Sequence, residues 1–176
     1  VQSTSANINK DLALASSVLG LNSSKIGSIA VTDGTVSKKA VMKMSDDQYV
    51  LLKDKFTGQN TFTLSEVAYV NLARVESDES VTNFSIKDAF SSISNITSLL
   101  TNADHPKLSN LDITNATVAN VTTINSLTDT LKLKIKSVSV TDTSTSLLNI
   151  ASGVITNLKN LSTNKLVTSI NAKDAT

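Results

Sequence analysis

The chain has 176 residues, of which 40% are apolar but only 3% aromatic, with no cysteine and a formal net charge of +1. The missing cysteine excludes disulfides, thiolate metal sites and thiol catalysis. The near-zero charge removes the basic field that draws nucleic-acid binders to phosphate, and no apolar run reaches the roughly 18 residues of a membrane helix. Nucleic acid is therefore not an expected partner, and membrane insertion is not expected. With so few aromatics the core falls to Leu, Ile, Val and Ala. Charged residues make up 18%, below the usual share of about 25%. Ser, Thr and Asn fill the gap and give a hydroxyl- and amide-rich surface.

In chain order, Ile26 to Val31 reads as a short β-branched strand. AVMKM at 40–44 reads as a second strand and Asp46 to Phe56 as a helix. Thr61 to Val67 and Val81 to Ile86 read as strands, and Thr117 to Asp129 as a helix. LKLKIKSVSV at 131–140 alternates apolar and polar residues and predicts one long strand. Leu147, Ile150, Ala151, Val154, Ile155 and Leu158 recur at three and four, the spacing of one helical face. The Asn/Ser/Thr group at 160–164 is expected to stop that helix before a last strand, Leu166 to Ala172.

One short phrase recurs. KIGSIAVTDGT at 25–35 returns as KLSNLDITNAT at 107–117 and as KLVTSINAKDAT at 165–176. The match extends upstream: Val1, Thr4 and Ser5 align with Val140, Thr143 and Ser144. With one residue inserted, Ser28-Ile29 aligns with Ser169-Ile170, Asp33 with Asp174 and Thr35 with Thr176. Copies near 1–35, 81–117 and 140–176 are unequally spaced. Each opens on a Thr/Ser/Asp cluster that suits a helix N-cap and closes on a strand. Strands alternating with helices predict parallel pairing through right-handed crossovers. The expected fold is α/β: a repeat-built strand-helix solenoid, mainly parallel sheet on one side and helices on the other, forming a single repeat domain over 1–176. Because the text opens and closes inside repeat-like phrases, the chain reads as a fragment of a longer protein.

The phrase VTDTSTS, a helix, then KLVTSI resembles a strand-helix repeat of large bacterial type I secreted, RTX-associated surface proteins of adhesin or S-layer type. That resemblance implies an extracellular, cell-surface location and partners that are neighbouring repeats, other copies or cell-surface polysaccharide. The glycine-rich calcium nonapeptide of RTX proteins is absent, and five glycines cannot supply it. No cofactor is therefore expected here, and calcium is left to other parts of a full-length protein.

Candidate chemistry is sparse. His105, the only histidine, sits in ADHPK without a nucleophile motif nearby and reads as an exposed loop residue. Asp46-Asp47 reads as a helix cap and dipole partner. Glu76, Asp78 and Glu79 form the densest acidic cluster, without EF-hand spacing. Asp33, Asp142 and Asp174 fall at strand-to-turn junctions, where Asx turns and caps explain them and a cation ladder is a minor alternative. In LKLKIK, Lys132, Lys134 and Lys136 are expected on one strand face, as a solvated edge or as a contact for acidic glycans. N-x-S/T triplets begin at Asn22, Asn83, Asn95, Asn115, Asn120 and Asn160, as chance allows in such a composition. The expected role is a structural and interaction module without enzymatic activity. A glycan- or cell-surface-binding module is the alternative, and a hydrolase is a distant third. A groove lined by Tyr49, Phe56, Phe62, Tyr69, Phe84 or Phe90 would favour the alternative.

Overall fold

The computed structural model describes the chain apart from residues 102, 104, 149–151, 164, 165, 175 and 176 and the side chains of 152, 154 and 155. The chain is an α/β protein with mostly parallel sheet. It divides into two compact units, Val1–Phe84 and Ser85–Thr176.

The first unit begins with β1 (Gln2–Ser3), α1 (Ser5–Leu12), α2 (Val18–Leu21), β2 (Ile29–Val31) and β3 (Ala40–Ser45). It continues with α3 (Asp46–Leu52), β4 (Phe56–Thr57), β5 (Asn60–Val67), α4 (Leu72–Ser77) and the start of β6 (Val81–Ala89). The strands expected at 40–44 and 61–67 are present. The helix expected to run to Phe56 stops at Leu52, passes through a short 3-10 turn and releases Phe56 into β4. β1, β2 and β4 form one parallel sheet, while β3 pairs in parallel with β5 from Ala40↔Asn60 to Ser45↔Ser65. β4 thus returns to β2 and skips β3. A solenoid laid down strand by strand in chain order does not describe this unit. Gly58 makes the turn out of β4 possible: its φ is 99°, and a Cβ there would lie 2.9 Å from the Val31 carbonyl oxygen.

The core of this unit follows strand alternation. In β3, Ala40, Met42 and Met44 are buried while Val41 and Lys43 are exposed. Ile8 and Leu12 of α1 face inward, and α1 packs on β3. The few aromatics gather here. Tyr49 lies edge-on to Phe62 at 4.9 Å between ring centroids, and Phe56 lies edge-on to Phe62 at 5.5 Å. Such pairs add about 0.5–1.5 kcal/mol beyond area burial.

The second unit carries α5 (Ile96–Leu100), β7 (Leu108–Ala116), α6 (Val118–Ser126), α7 (Asp129–Lys132) and β8 (Ile135–Asp142). It ends with α8 (Ser144–Leu148), α9 (Ser152–Thr163) and β9 (Val167–Ala172). β7, β8 and β9 run parallel and neighbour one another in that order. Register shifts interrupt the β7/β8 and β8/β9 ladders, and the sheet curls as such bulges require. Asn115, in one of these shifts, takes a left-handed φ of 52°. The last helix is not stopped by the polar group at 160–164; it runs through Thr163. Of its expected apolar face, Ile150 and Ala151 and the side chains of Val154 and Ile155 lie outside the described residues. Leu161 is fully buried, and α9 packs on α6.

The long strand expected at 131–140 is shorter. Leu131 and Lys132 end α7, Leu133 and Lys134 turn, and pairing with β7 starts at Leu111↔Ile135. Asp129 opens α7 and lies 3.5 Å from Lys132 at its end, an i,i+3 pair that suits a helical turn. Alternation alone does not separate such a turn from a strand end.

Asp46 is a deeply buried charged residue. Asp46 is 3% exposed and accepts from Arg74 at 2.5 and 2.7 Å and from Asn71 at 3.0 Å. Removing the guanidinium leaves a buried carboxylate with one partner. Arg74→Ala is expected to lower the unfolding free energy by about 2 kcal/mol, measured by urea titration. The Asp46→Ala/Arg74→Ala double variant is expected to lose less than the sum of the single losses; strictly additive losses would show that the two are not coupled.

Candidate functional site

Open α/β sheets place their chemistry at the carboxyl ends of parallel strands. In both units some of those ends are built from aspartate carboxylates and helix starts.

In the first unit β1 runs into Thr4, whose side chain caps α1 by accepting from the Asn7 amide. The next parallel strand, β2, ends two residues before Asp33. Its register, Ser3↔Val31, sets Asp33 opposite Ser5, the first residue of α1. The carboxylate accepts the Ser5 amide at 2.8 Å and the Ser5 hydroxyl at 2.6 Å. The second unit repeats this joint. Thr143 caps α8 by accepting the Ser146 amide at 3.0 Å, and Asp174 accepts the Ser144 amide at 2.5 Å and the Ser144 hydroxyl at 3.1 Å. The register is the same: Thr141↔Asn171 and Asp142↔Ala172 reproduce Gln2↔Ala30 and Ser3↔Val31 under the sequence alignment. The flanking backbone bond is also reproduced, Thr32 amide to Ser3 carbonyl in one unit and Lys173 amide to Asp142 carbonyl in the other.

A third joint lies one strand earlier. β7 runs into Thr117, which caps α6 in a capping box with Asn120. Asp142, at the end of β8, accepts the Val118 amide at 3.0 Å and the Thr143 amide at 2.8 Å. The three aspartates therefore do more than turn the chain. Each holds the start of the helix that follows the neighbouring strand, where a negative charge meets the free amides and positive dipole end. These bonds keep all three carboxyls below the ordinary carboxylate range. The leading cause is the Ser5 hydroxyl for Asp33, the Val118 amide for Asp142 and the Ser144 amide for Asp174. Asp11 does the same work locally: burial pushes its carboxyl up, but bonds from Leu19, Ser17 and Val18 at the start of α2 outweigh it and leave it lowered.

β3 and β5 end differently. Ser45 caps α3 in a capping box with Gln48, so the cap expected of Asp46-Asp47 belongs to Ser45. Asp46 turns to Arg74 instead. The β3/β5 ladder ends at Ser45↔Ser65, and the next residue of β5, Glu66, has a left-handed φ of 58°. Beside it is an open cleft of about 530 Å³, lined by Asn9, Leu12, Lys43, Ser45, Gln48 and Glu66 among others. Much of its polar wall is committed to the fold. Asn9 accepts the Lys43 amide at 2.7 Å and donates to the Val41 carbonyl at 2.9 Å, which seals the outer edge of β3. Gln48 accepts from the Ser45 amide and donates to the Leu12 carbonyl, each at 3.0 Å. Among the described residues no aromatic side chain lines the cleft. Tyr49, Phe62 and Phe84 are buried, and Phe56, Tyr69 and Phe90 are half-buried.

The other candidates disperse. Asp78 accepts from the Tyr49 hydroxyl at 2.6 Å and from both the Ser80 amide and hydroxyl, with Lys53 at 4.0 Å, while Glu79 is exposed. Among the described residues no group of three His, Cys, Asp or Glu side chains is placed to hold a metal ion. Lys132, Lys134 and Lys136 do not share one strand face. Lys132 pairs with Asp129 in α7, the Lys134 amine is buried, and Lys136 lies on β8, 3.9 Å from Asp112. Leu133, expected to face the core, is 84% exposed. His105 is half-buried rather than exposed, with Nδ1 shielded and without a hydrogen bond among the described residues; its neighbour Asp104 lies outside them. Several glycosylation-type asparagines are structural: Asn95 caps α5, Asn120 completes the α6 capping box, and Asn22 donates to the Val18 carbonyl.

No protein-family model, curated protein or solved structure matches the chain.

Two titrations follow from these carboxylates. Because the folded values are depressed, the joints stabilise the fold above the unfolded value of about 3.9, and that contribution is lost as pH falls through the folded values. In a pH titration by amide NMR, Ser5, Val118 and Ser144 are expected to shift together with midpoints below about 3.9; independent shifts at ordinary values would break the assignment. Asp142→Ala, which frees two helix-start amides, is expected to cost about 1 kcal/mol. Burial, then the hydrogen bond to Asp78, pushes the Tyr49 phenol up to about 12. Stability carried by the neutral phenol is full below about pH 10 and falls as pH rises toward that value. An ultraviolet titration should show one of the two tyrosines ionising late, and Tyr49→Phe should remove that late step.

Proposed function

We propose that the chain is a structural and interaction module of an extracellular bacterial surface protein, a segment of an adhesin stalk or a surface layer. The observation that carries this reading is the aspartate joint, repeated at one register in three strand-helix-strand steps. It sets the spacing and direction of successive parallel strands, as a projecting or tiling element requires. The finer architecture belongs to the same reading: the copies near 1–35, 81–117 and 140–176 are repeat units of one design. The likeness of VTDTSTS and KLVTSI to repeats of type I secreted, RTX-associated surface proteins points the same way. Neighbouring repeats and other copies are the first partners, and no cofactor or catalytic role is assigned.

The cleft beside Glu66 favours a second reading, in which the first unit holds a small part of a cell-surface glycan. Sugar sites commonly use an aromatic face against the ring's C–H groups, and this cleft has none among the described residues.

Antibodies raised against the chain are expected to label intact, unpermeabilised source cells. Labelling that appears only after permeabilisation would overturn the surface assignment. Saturable binding of purified cell-surface polysaccharide, lost in Lys43→Ala, would move the conclusion to the second reading.

A further inference from the structure

The two units treat the same strand differently. Under the alignment that matches their joints, β2 corresponds to the end of β9: Ile29 to Ile170, Ala30 to Asn171 and Val31 to Ala172. Ile29 is fully buried, and β2 carries β4 on its far side through Ile29↔Phe56 and Ala30↔Thr57. Ile170 is 53% exposed, and β9 is the end strand of its sheet among the described residues. The Lys173 amide bonds to the Asp142 carbonyl on β8. By the alternation of a parallel strand, the amides and carbonyls of Ile170 and Ala172 point to the open side. Nothing in VTSINA protects that side: the strand contains no Lys, Pro or Gly. The contrast within the molecule is direct, because the outer edge of β3 is closed by the Asn9 amide.

β1 presents the complementary case. It is an end strand of the β1-β2-β4 sheet, and its Val1 and Ser3 carbonyls accept from Ala30 and Thr32 of β2. The amide and carbonyl of Gln2 therefore point away. The counterpart of Val1 is Val140, and Val140 has a parallel neighbour, Ala116 of β7, on that side. Each open edge thus corresponds to an edge that the other unit covers with a parallel strand.

We propose that β9 of one copy of this chain pairs in parallel with β1 of a second copy. The join extends the run β7-β8-β9 of one copy into β1-β2-β4 of the next and covers Ile170. It joins two different edges, so it is heterologous, and after one contact the first copy keeps its β1 edge and the second its β9 edge for the next. The partner is main chain recognised by main chain, as in strand addition. This names the partner of the structural module proposed above and rests on that reading.

The experiment is sedimentation velocity on the purified chain over a concentration series. The native chain is expected to shift from monomer to larger species as concentration rises. Gln2→Pro removes the outward amide of β1, and Ala172→Pro removes one of β9, without touching bonds to β2 or β8. Each variant alone is expected to stay monomeric with an unchanged circular dichroism spectrum. Their equimolar mixture is expected to give a heterodimer and nothing larger, since each supplies the edge the other lacks. If Ala172→Pro unfolds the strand, Ile170→Lys replaces it, because that side chain already meets solvent. A native chain that is monomeric throughout overturns the proposal. So does a Gln2→Pro chain that assembles like the native one, which would mean β9 pairs with itself. Cells labelled at the surface by antibody, together with a strictly monomeric chain, would remove this partner and leave the module reading standing.

Discussion

Three strand-helix-strand steps of this protein depend on a carboxylate reaching sideways from one parallel strand to the first amide of the helix that follows its neighbour. A strand that ends in a helix leaves that helix with unbonded amides. A neighbouring parallel strand ends at the same level. An aspartate at its end or two residues beyond meets the orphan donor at hydrogen-bonding distance, as Asp142 meets Val118 and Asp33 meets Ser5. The bond is short, charge-assisted and aligned with the helix dipole. It fixes strand register and helix start in one contact. A register slip of one residue would break it and also turn the buried side of β8, Ile135, Val138 and Val140, toward the hydroxyl-rich side.

The remaining polar groups follow the same economy. Ser, Thr and Asn side chains are largely tied into caps and strand surfaces. Ser139 bonds Ser169 at 2.8 Å, and Thr168 donates to the Val138 carbonyl. Asn125 bonds Asn157 between α6 and α9. A composition that looks like a sticky surface is in good part internal carpentry. Of the aromatics that a sugar site would display, Tyr49 and Phe56 are drawn edge-on against Phe62 in the first unit.

Much of the α/β plan was legible. The strands at 40–44, 61–67 and 166–172, the buried faces and the repeat itself come from alternation and from aligned phrases. The aligned aspartates mark the joints, although the sequence describes them only as local turns and caps, because their partners lie 24 to 30 residues away. The false strand at 131–134 had the right alternation but belongs to a helical turn closed by Asp129 and Lys132. β4 is two residues long and carries no pattern of its own. Its return to β2, and the resulting two sheets, are tertiary facts. Asp46 was recognised as a helix-start acid. Its partner Arg74 lies 28 residues away, beyond β4 and β5, and no local spacing announces it.

The sequence distances spanned by the three joints are unequal: 28 residues for Asp33, 24 for Asp142 and 30 for Asp174. The joint constrains only the two ends of the crossover. The helical segment between them can gain or lose residues while strand and cap stay in place, and loop length costs little entropy once the ends are held. Asp142 serves two such steps at once, so adjacent steps share a residue without sharing a length. A lineage built on this joint can drift freely in period, and its kinship is then preserved in the positions of a few aspartates and hydroxyls while the spacing between them is lost.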